Sequence, residues 1–216
     1  MSQVKWTFTW VVESALHVGT GLSRPGFADR ILRRNRDGKV EIPGDAVKGA
    51  IRLSAERLLR WYVPSLSGEE TDEEAPLCHS ALRRIFASET GKNGPVRYRF
   101  QPAVTNITNN DSFRTAATAI NWHTGTAENE TLRTTENLKT GAEFEVTITA
   151  AGLSLIHGDL QVLTSAILLT TAIGAKRTSG LGQVQCEKLT IDGAKIEMST
   201  LAGETIKHLQ AEQCIA

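Results

Sequence analysis

The stretch ADRILRRNRDGKVEIPGDAVKGAIR, residues 28–52, joins a basic loop to a Pro-Gly break and then to an amphipathic segment. Pro43-Gly44 interrupts the chain and Asp45 can cap the free N–H groups that follow, so a helix is predicted from about Ala46 to Tyr62. Val47, Ala50, Ile51, Leu58, Leu59 and Tyr62 recur at the spacing of one buried helical face. Lys48 and Arg52, four residues apart, point together off another side. Upstream, Asp29 stands among Arg30, Arg33, Arg34 and Arg36. Residues 24–60 carry ten Arg or Lys against five acids, a local excess of +5 in a chain whose formal net charge is zero. Positive charge is therefore concentrated where a helix start, with its own free donors, would help hold an anion.

Working outward, Val4, Trp6, Phe8, Trp10 and Val12 alternate with Lys5, Thr7, Thr9 and Glu13, the period of a strand with one apolar face. Beyond the helix, SLSGEETDEEAP is a polar, acidic loop. VRYRFQPAV at 96–104 and EFEVTIT at 143–149 read as strands. The Thr- and Asn-rich stretch between them, Thr105 to Thr140, has too few aliphatic residues to form a core and should project as a loop or hairpin. A second helix, GDLQVLTSAILLTTAIG, leads into the glycine-rich loop Gly174 to Gly182 and a last strand near 182–191. The predicted fold is α+β, a ferredoxin-like (RRM-like) β-α-β-β-α-β core common among RNA-binding domains. One domain is expected over residues 1–192, with insertions at about 63–95 and 105–140, and a tail at 193–216 with a short helix near 199–210.

A chain of 216 residues that is 40 % hydrophobic and 22 % charged can bury one good core. No apolar run is long enough to span a membrane and the N-terminus lacks the pattern of a signal peptide, which points to the cytoplasm. Cys78, Cys186 and Cys214 show no C-x-x-C spacing, so neither a disulfide framework nor a zinc site is expected. His17, His79, His123, His157 and His208 are dispersed without an H-E-x-x-H or nucleophile motif.

In the loop GAKRTSGLG, Gly174, Gly180 and Gly182 permit close backbone approach to a phosphate, and Lys176 and Arg177 add charge. It is neither a P-loop nor a dinucleotide fingerprint, and the same residues could simply end a helix. Asp29, flanked by arginines, would stay ionised and could either pair with them or act on a substrate. Asp37, in Arg36-Asp37-Gly38, is explained by a turn. Trp122, on the projecting stretch, offers a base-stacking face or a contact for its own or a neighbouring subunit.

Taken together, IPGDAVKGAIR and IGAKRTSGLGQV resemble the repeat-associated RNA-binding (RAMP) superfamily of CRISPR effector complexes, and most closely the repeated backbone subunit of type III complexes. Leu16-His17-Val18-Gly19-Thr20-Gly21, Asp29 ahead of the Pro-Gly turn, and residues 119–148 agree with that pattern from Val4 to Ile191. The resemblance implies a subunit that polymerises along a guide RNA and cuts the paired target RNA. It implies Asp29 as the catalytic group and as a possible Mg²⁺ ligand, a thumb hairpin within 105–140, and RNA contacts from His17, Arg30, Arg33, Lys48, Arg52, Lys176, Arg177, Gly180, Gly182 and Trp122. Other effector subunits are implied as partners. Two features depart from the pattern: Asn121-Trp122-His123 stands where an Asp-Arg pair is commoner, and of the family's frequent metal-binding set only Cys78 and His79 remain. A non-catalytic scaffold subunit is the second reading. A third is a guide-precursor endoribonuclease using His17 or His123 as base.

Overall fold

The computed structural model describes residues 2–62, 80–86, 98–106, 112–152, 157–196 and 198–211. Its centre is an antiparallel sheet in which β1 (Ser2–Val12) lies between β7 (Glu143–Gly152) and β8 (Val184–Ile191). β7 pairs in turn with β3 (Tyr98–Phe100) and β4 (Ala103–Thr105), and β2 (Glu41–Ile42) and β9 (Ala194–Lys195) extend the two edges. The alternation read from the sequence is realised in the register: Trp6, Phe8 and Trp10 sit opposite Ile148, Val146 and Phe144, and all six are buried. The strand expected over 96–104 is split in two around Gln101-Pro102, since proline cannot donate to a ladder.

Helix α1 (Gly44–Tyr62) buries Val47, Ala50, Ile51, Ala55, Leu58 and Leu59. It starts two residues before the predicted position. Val47 N–H donates to the Pro43 carbonyl, so Asp45 lies in the first turn instead of capping it. Glycine is required at 44 because a Cβ there would collide with the Phe100 carbonyl oxygen. Helix α2 (Ser80–Phe86) falls inside the predicted insertion, and the acidic loop, Cys78, His79 and Cys214 lie outside the described residues.

Helix α3 (His157–Leu168) packs on α1, and its Thr164 hydroxyl accepts the indole N–H of Trp6 at 3.0 Å. It ends six residues before the predicted boundary. The short helix expected near 199–210 is present as α4 (Met198–Ala211), which lies along α3 with Thr205 and Leu209 buried. Asp159 of α3, 2 % exposed, takes two 2.7 Å hydrogen bonds from Arg84 of α2 and one at 3.1 Å from His208 of α4, tying three helices together. A carboxylate so deeply buried persists because both its oxygens are satisfied by charge-assisted donors.

The stretch 105–140 contains a two-stranded antiparallel hairpin, β5 (Ser112–Ala117) with β6 (Arg133–Leu138). Its outer part is exposed, but Thr135, Glu136, Asn137 and Leu138 are buried at the base. The predicted boundary at 140 therefore runs past the projecting part and into the body of the domain.

Candidate functional site

Four segments remote in sequence meet at the base of the hairpin. The end of β1 continues as Leu16 to Gly19, where Leu16 and Leu138 of β6 exchange backbone hydrogen bonds of 3.1 and 2.8 Å. The basic loop runs between that segment and the hairpin. On one side the Arg33 N–H donates to the Val18 carbonyl at 2.7 Å, and on the other the Asp29 and Arg30 N–H groups donate to the Thr134 carbonyl at 3.0 and 3.1 Å. Phe27 is flanked by the guanidinium groups of Arg24 and Arg114, 5.5 and 5.2 Å from its ring centre, which fastens β5 to the same loop.

Asp29 is exposed at this junction. Its Oδ2 accepts the Thr134 backbone N–H at 2.6 Å and the Thr134 hydroxyl at 2.9 Å. The bond from the Thr134 N–H, followed by that from its hydroxyl, holds the carboxyl below the usual aspartate range. Both bonds from Thr134 fall on Oδ2.

Glu136, two residues along β6, is 4 % exposed. Burial pushes its carboxyl up, but the Leu32 N–H, the Arg34 guanidinium and the Ser112 hydroxyl outweigh burial and bring it below the ordinary value. Oε2 accepts Leu32 N–H at 3.0 Å and Oε1 accepts Arg34 Nη2 at 2.7 Å. The Glu136 carbonyl accepts the Nδ1–H of His17 at 2.7 Å.

His17 is 5 % exposed, so its ring is spent on this internal bond, while its carbonyl accepts the Ala175 N–H of the glycine-rich loop at 2.9 Å. That loop forms a short 3-10 turn at Arg177–Ser179, entered by Lys176 with φ 58° and closed by Gly180 with φ 81°. Lys176, Arg177 and Gly180 are exposed. Gly182 has φ 72°, and a Cβ there would strike the Ile173 carbonyl oxygen, so no other residue fits.

The cations divide into free and committed groups. Arg30 is exposed and without an ion pair among the described residues, whereas Arg33 pairs with Glu41 at 3.2 Å and Arg52 with Glu56 at 2.7 Å. Lys48 is half-buried near the start of α1. The α1 cation that reaches the glycine loop is Arg57, which lines a cleft of about 350 Å³ with Leu53, Ser54, Thr171, Arg177 and Thr178. Arg57 lies five residues beyond Arg52, roughly 140° around the helix, so Lys48 and Arg52 occupy a different flank. Trp122 is 83 % exposed at the hairpin tip, its ring centre 3.5 Å from that of His123.

Sequence reasoning missed Thr134, Glu136 and Arg57 as site residues. The signal available was Glu136 in the run Arg133-Thr134-Thr135-Glu136-Asn137-Leu138, an acid beside the leucine at which the polar stretch re-enters the core. Among the described residues no group of three or more His, Cys, Asp or Glu could hold a metal ion by itself. Asp29 nevertheless fits a Mg²⁺ ion, which takes one or two carboxylate oxygens and completes its shell with water and substrate phosphate. The Cys186 thiol is pushed up to about 12 by burial and the neighbouring Glu187, and is inert. No helix among the described residues is long and apolar enough to cross a membrane.

The fold is shared with chains of solved structures, two of them from a type III-B complex. The type III-B Cmr-beta complex bound to cognate target RNA contains a chain that superposes with a TM-score of 0.62 at 12 % identity, over 85 % of this chain and 96 % of that one. The apo state of Cmr-beta gives 0.58 at 12 % identity with the same coverage. A search of curated protein sequences finds no match. The sequence pattern of the RAMP superfamily matches residues 11–185, which run from the end of β1 to the start of β8 and include every segment that meets at the hairpin base, and the chain belongs to that superfamily.

Proposed function

We propose that this chain is a guide-RNA-binding backbone subunit of a type III CRISPR interference complex and that it cuts the paired target RNA at Asp29. The observation that carries the reading is an exposed carboxylate, held ionised by Thr134 at the root of a projecting hairpin and bordered by Arg30. The strand order β3/β4-β7-β1-β8, antiparallel throughout, supports a ferredoxin-like core, and the exposed β5-β6 hairpin supports a thumb. The likeness in fold to a chain of a complex bound to target RNA supports RNA and other effector subunits as partners, and the proposal extends to copies of this chain along the guide and to a cytoplasmic setting.

Cleavage by internal transfer needs the 2′-OH in line with the adjacent phosphorus and relief of charge on the phosphoryl oxygens. With Oδ2 fixed by Thr134, Oδ1 of Asp29 is the atom free to take the hydroxyl proton or to bind a divalent ion. A bound Mg²⁺ would supply compensation of phosphoryl charge. In this reading Arg30 binds the phosphate and Arg33, Lys48, Arg52, Lys176, Arg177 and the exposed turn at Gly180 line the guide path; Gly182, expected there from the sequence, is instead buried with its N–H given to the Ala15 carbonyl at 2.8 Å. A second reading is a scaffold that binds without cutting, in which the Asp29–Thr134 bonds serve only to anchor the hairpin to the loop.

Asp29→Asn in assembled complex separates the two. It should lower Mg²⁺-dependent target cleavage by at least ~10², with target binding by gel shift unchanged. Wild-type cutting by the variant, or no cutting by the wild-type complex, leaves the scaffold reading in place.

A further inference from the structure

We propose that Glu136 is the positioning residue of this site: its buried carboxylate clamps the loop that presents Asp29 to the hairpin strand, so that cleavage depends on a group that never touches RNA. The inference rests on the cleavage reading above for its consequence, though not for its geometry. Glu136 engages the loop at three places. Oε2 takes the Leu32 N–H, Oε1 takes Arg34 Nη2, and its own N–H donates to the Arg30 carbonyl at 2.9 Å. Asp29 and Arg30 are thus followed within five residues by two side-chain anchor points, Leu32 and Arg34, while Thr134 holds the loop's leading edge. The fourth bond, from His17 Nδ1 to the Glu136 carbonyl, continues the connection to Ala175 and so to the glycine loop.

The chemistry of the position is specific. A buried carboxylate with one oxygen on a main-chain N–H and the other on a guanidinium cannot be replaced by an amide without turning a donor toward Arg34 or toward the Leu32 N–H. No apolar residue could satisfy the Leu32 N–H in its place. A purely structural ion pair would need only Arg34. The second anchor, on the backbone three residues after Asp29, fixes the path of the loop.

The test uses Glu136→Gln, with Arg34→Gln as a second variant that keeps the Leu32 anchor and sits at a less buried position, its side chain 25 % exposed. Two readouts are taken on each: hydrogen exchange of peptides covering residues 28–36 in the purified full chain, and Mg²⁺-dependent target cleavage in the assembled complex. The clamp predicts exchange in 28–36 faster by roughly tenfold with β1 and β7 unchanged. Cleavage should slow by roughly 10- to 100-fold at unaltered target affinity, with Arg34→Gln intermediate in both. Unchanged exchange and cleavage in Glu136→Gln overturns the proposal, as does faster exchange spread evenly over the sheet, which would mark a general loss of stability. Failure of the cleavage reading looks different: wild-type complex cuts nothing, or Asp29→Asn cuts normally, and the exchange result then decides the clamp alone.

Discussion

The two hydrogen bonds that Thr134 gives Asp29 fix one carboxylate oxygen, and the bonds that Glu136 receives from Leu32 and Arg34 fix the loop behind it. Both acids are held below their ordinary values in the folded chain. The sign of the pH dependence follows. Glu136 contributes stability that is fully present above its ordinary value of 4.5 and is lost as pH falls through the lower folded value. The wild-type thermal midpoint should therefore drop on acidification below about pH 4.5 more steeply than that of Glu136→Gln, which has no carboxylate to protonate. Parallel curves from melting at stepped pH would show that Glu136 is not coupled to folding. At this scale the sequence displayed Asp29 and its arginines, because they crowd a short stretch. Thr134 and Glu136 were hidden because their bonds to Asp29 and Leu32 span more than a hundred residues.

Among the elements, periodicity located β1, α1 and β7, since each has a clear apolar face, while the apolar residues from Leu160 to Leu168 located α3 and the position after the glycine loop located β8. It could not show that α4 docks through an Asp159 network, or that a Thr-rich run would pair as β5 and β6 while burying its own end. Nor could it show which flank of α1 meets the glycine loop, because that depends on how the helix lies on the sheet. The hairpin has a convenient point for shortening. Glu128 N–H donates to the Ala119 carbonyl at 2.9 Å, so residues 120–127 can be removed between ends already in contact. That deletion takes away Trp122 and His123 and leaves Thr134 and Glu136 in place. The shortened chain should keep its fold by circular dichroism and its affinity for single-stranded RNA, whereas target cuts should vanish or move. Cuts at their normal positions would assign the tip another task, such as contact with a neighbouring subunit.

For the molecule as a whole, zero net charge means that affinity for RNA must come from where the cations sit. Arg57 and Arg177 face one cleft, and neither forms an ion pair among the described residues, while Arg52 is engaged by Glu56. Replacing Arg57 and Arg177 by Ala should lower the slope of log affinity against log salt by roughly 1.4, two single-strand phosphate contacts of about 0.7 each. The pair Lys48→Ala and Arg52→Ala should lower it less, because one of those charges is already partnered. Anisotropy titrations across a salt series would measure both, and an unchanged slope in the first pair would remove the cleft from the RNA path.

The central place of β1 also governs how the chain is made. β1 leaves the ribosome more than a hundred residues ahead of both its partners, β7 and β8. At roughly 5–20 residues per second it waits on the order of ten seconds with Trp6, Phe8 and Trp10 uncovered. The junction of residues 17, 29–34, 134–136 and 175 cannot close before the glycine loop has emerged. A nascent chain therefore covers its aromatic core and closes the hairpin-base junction at nearly the same moment, once the glycine loop and β8 have emerged, and until then its exposed aromatic strand is the part most in need of a chaperone.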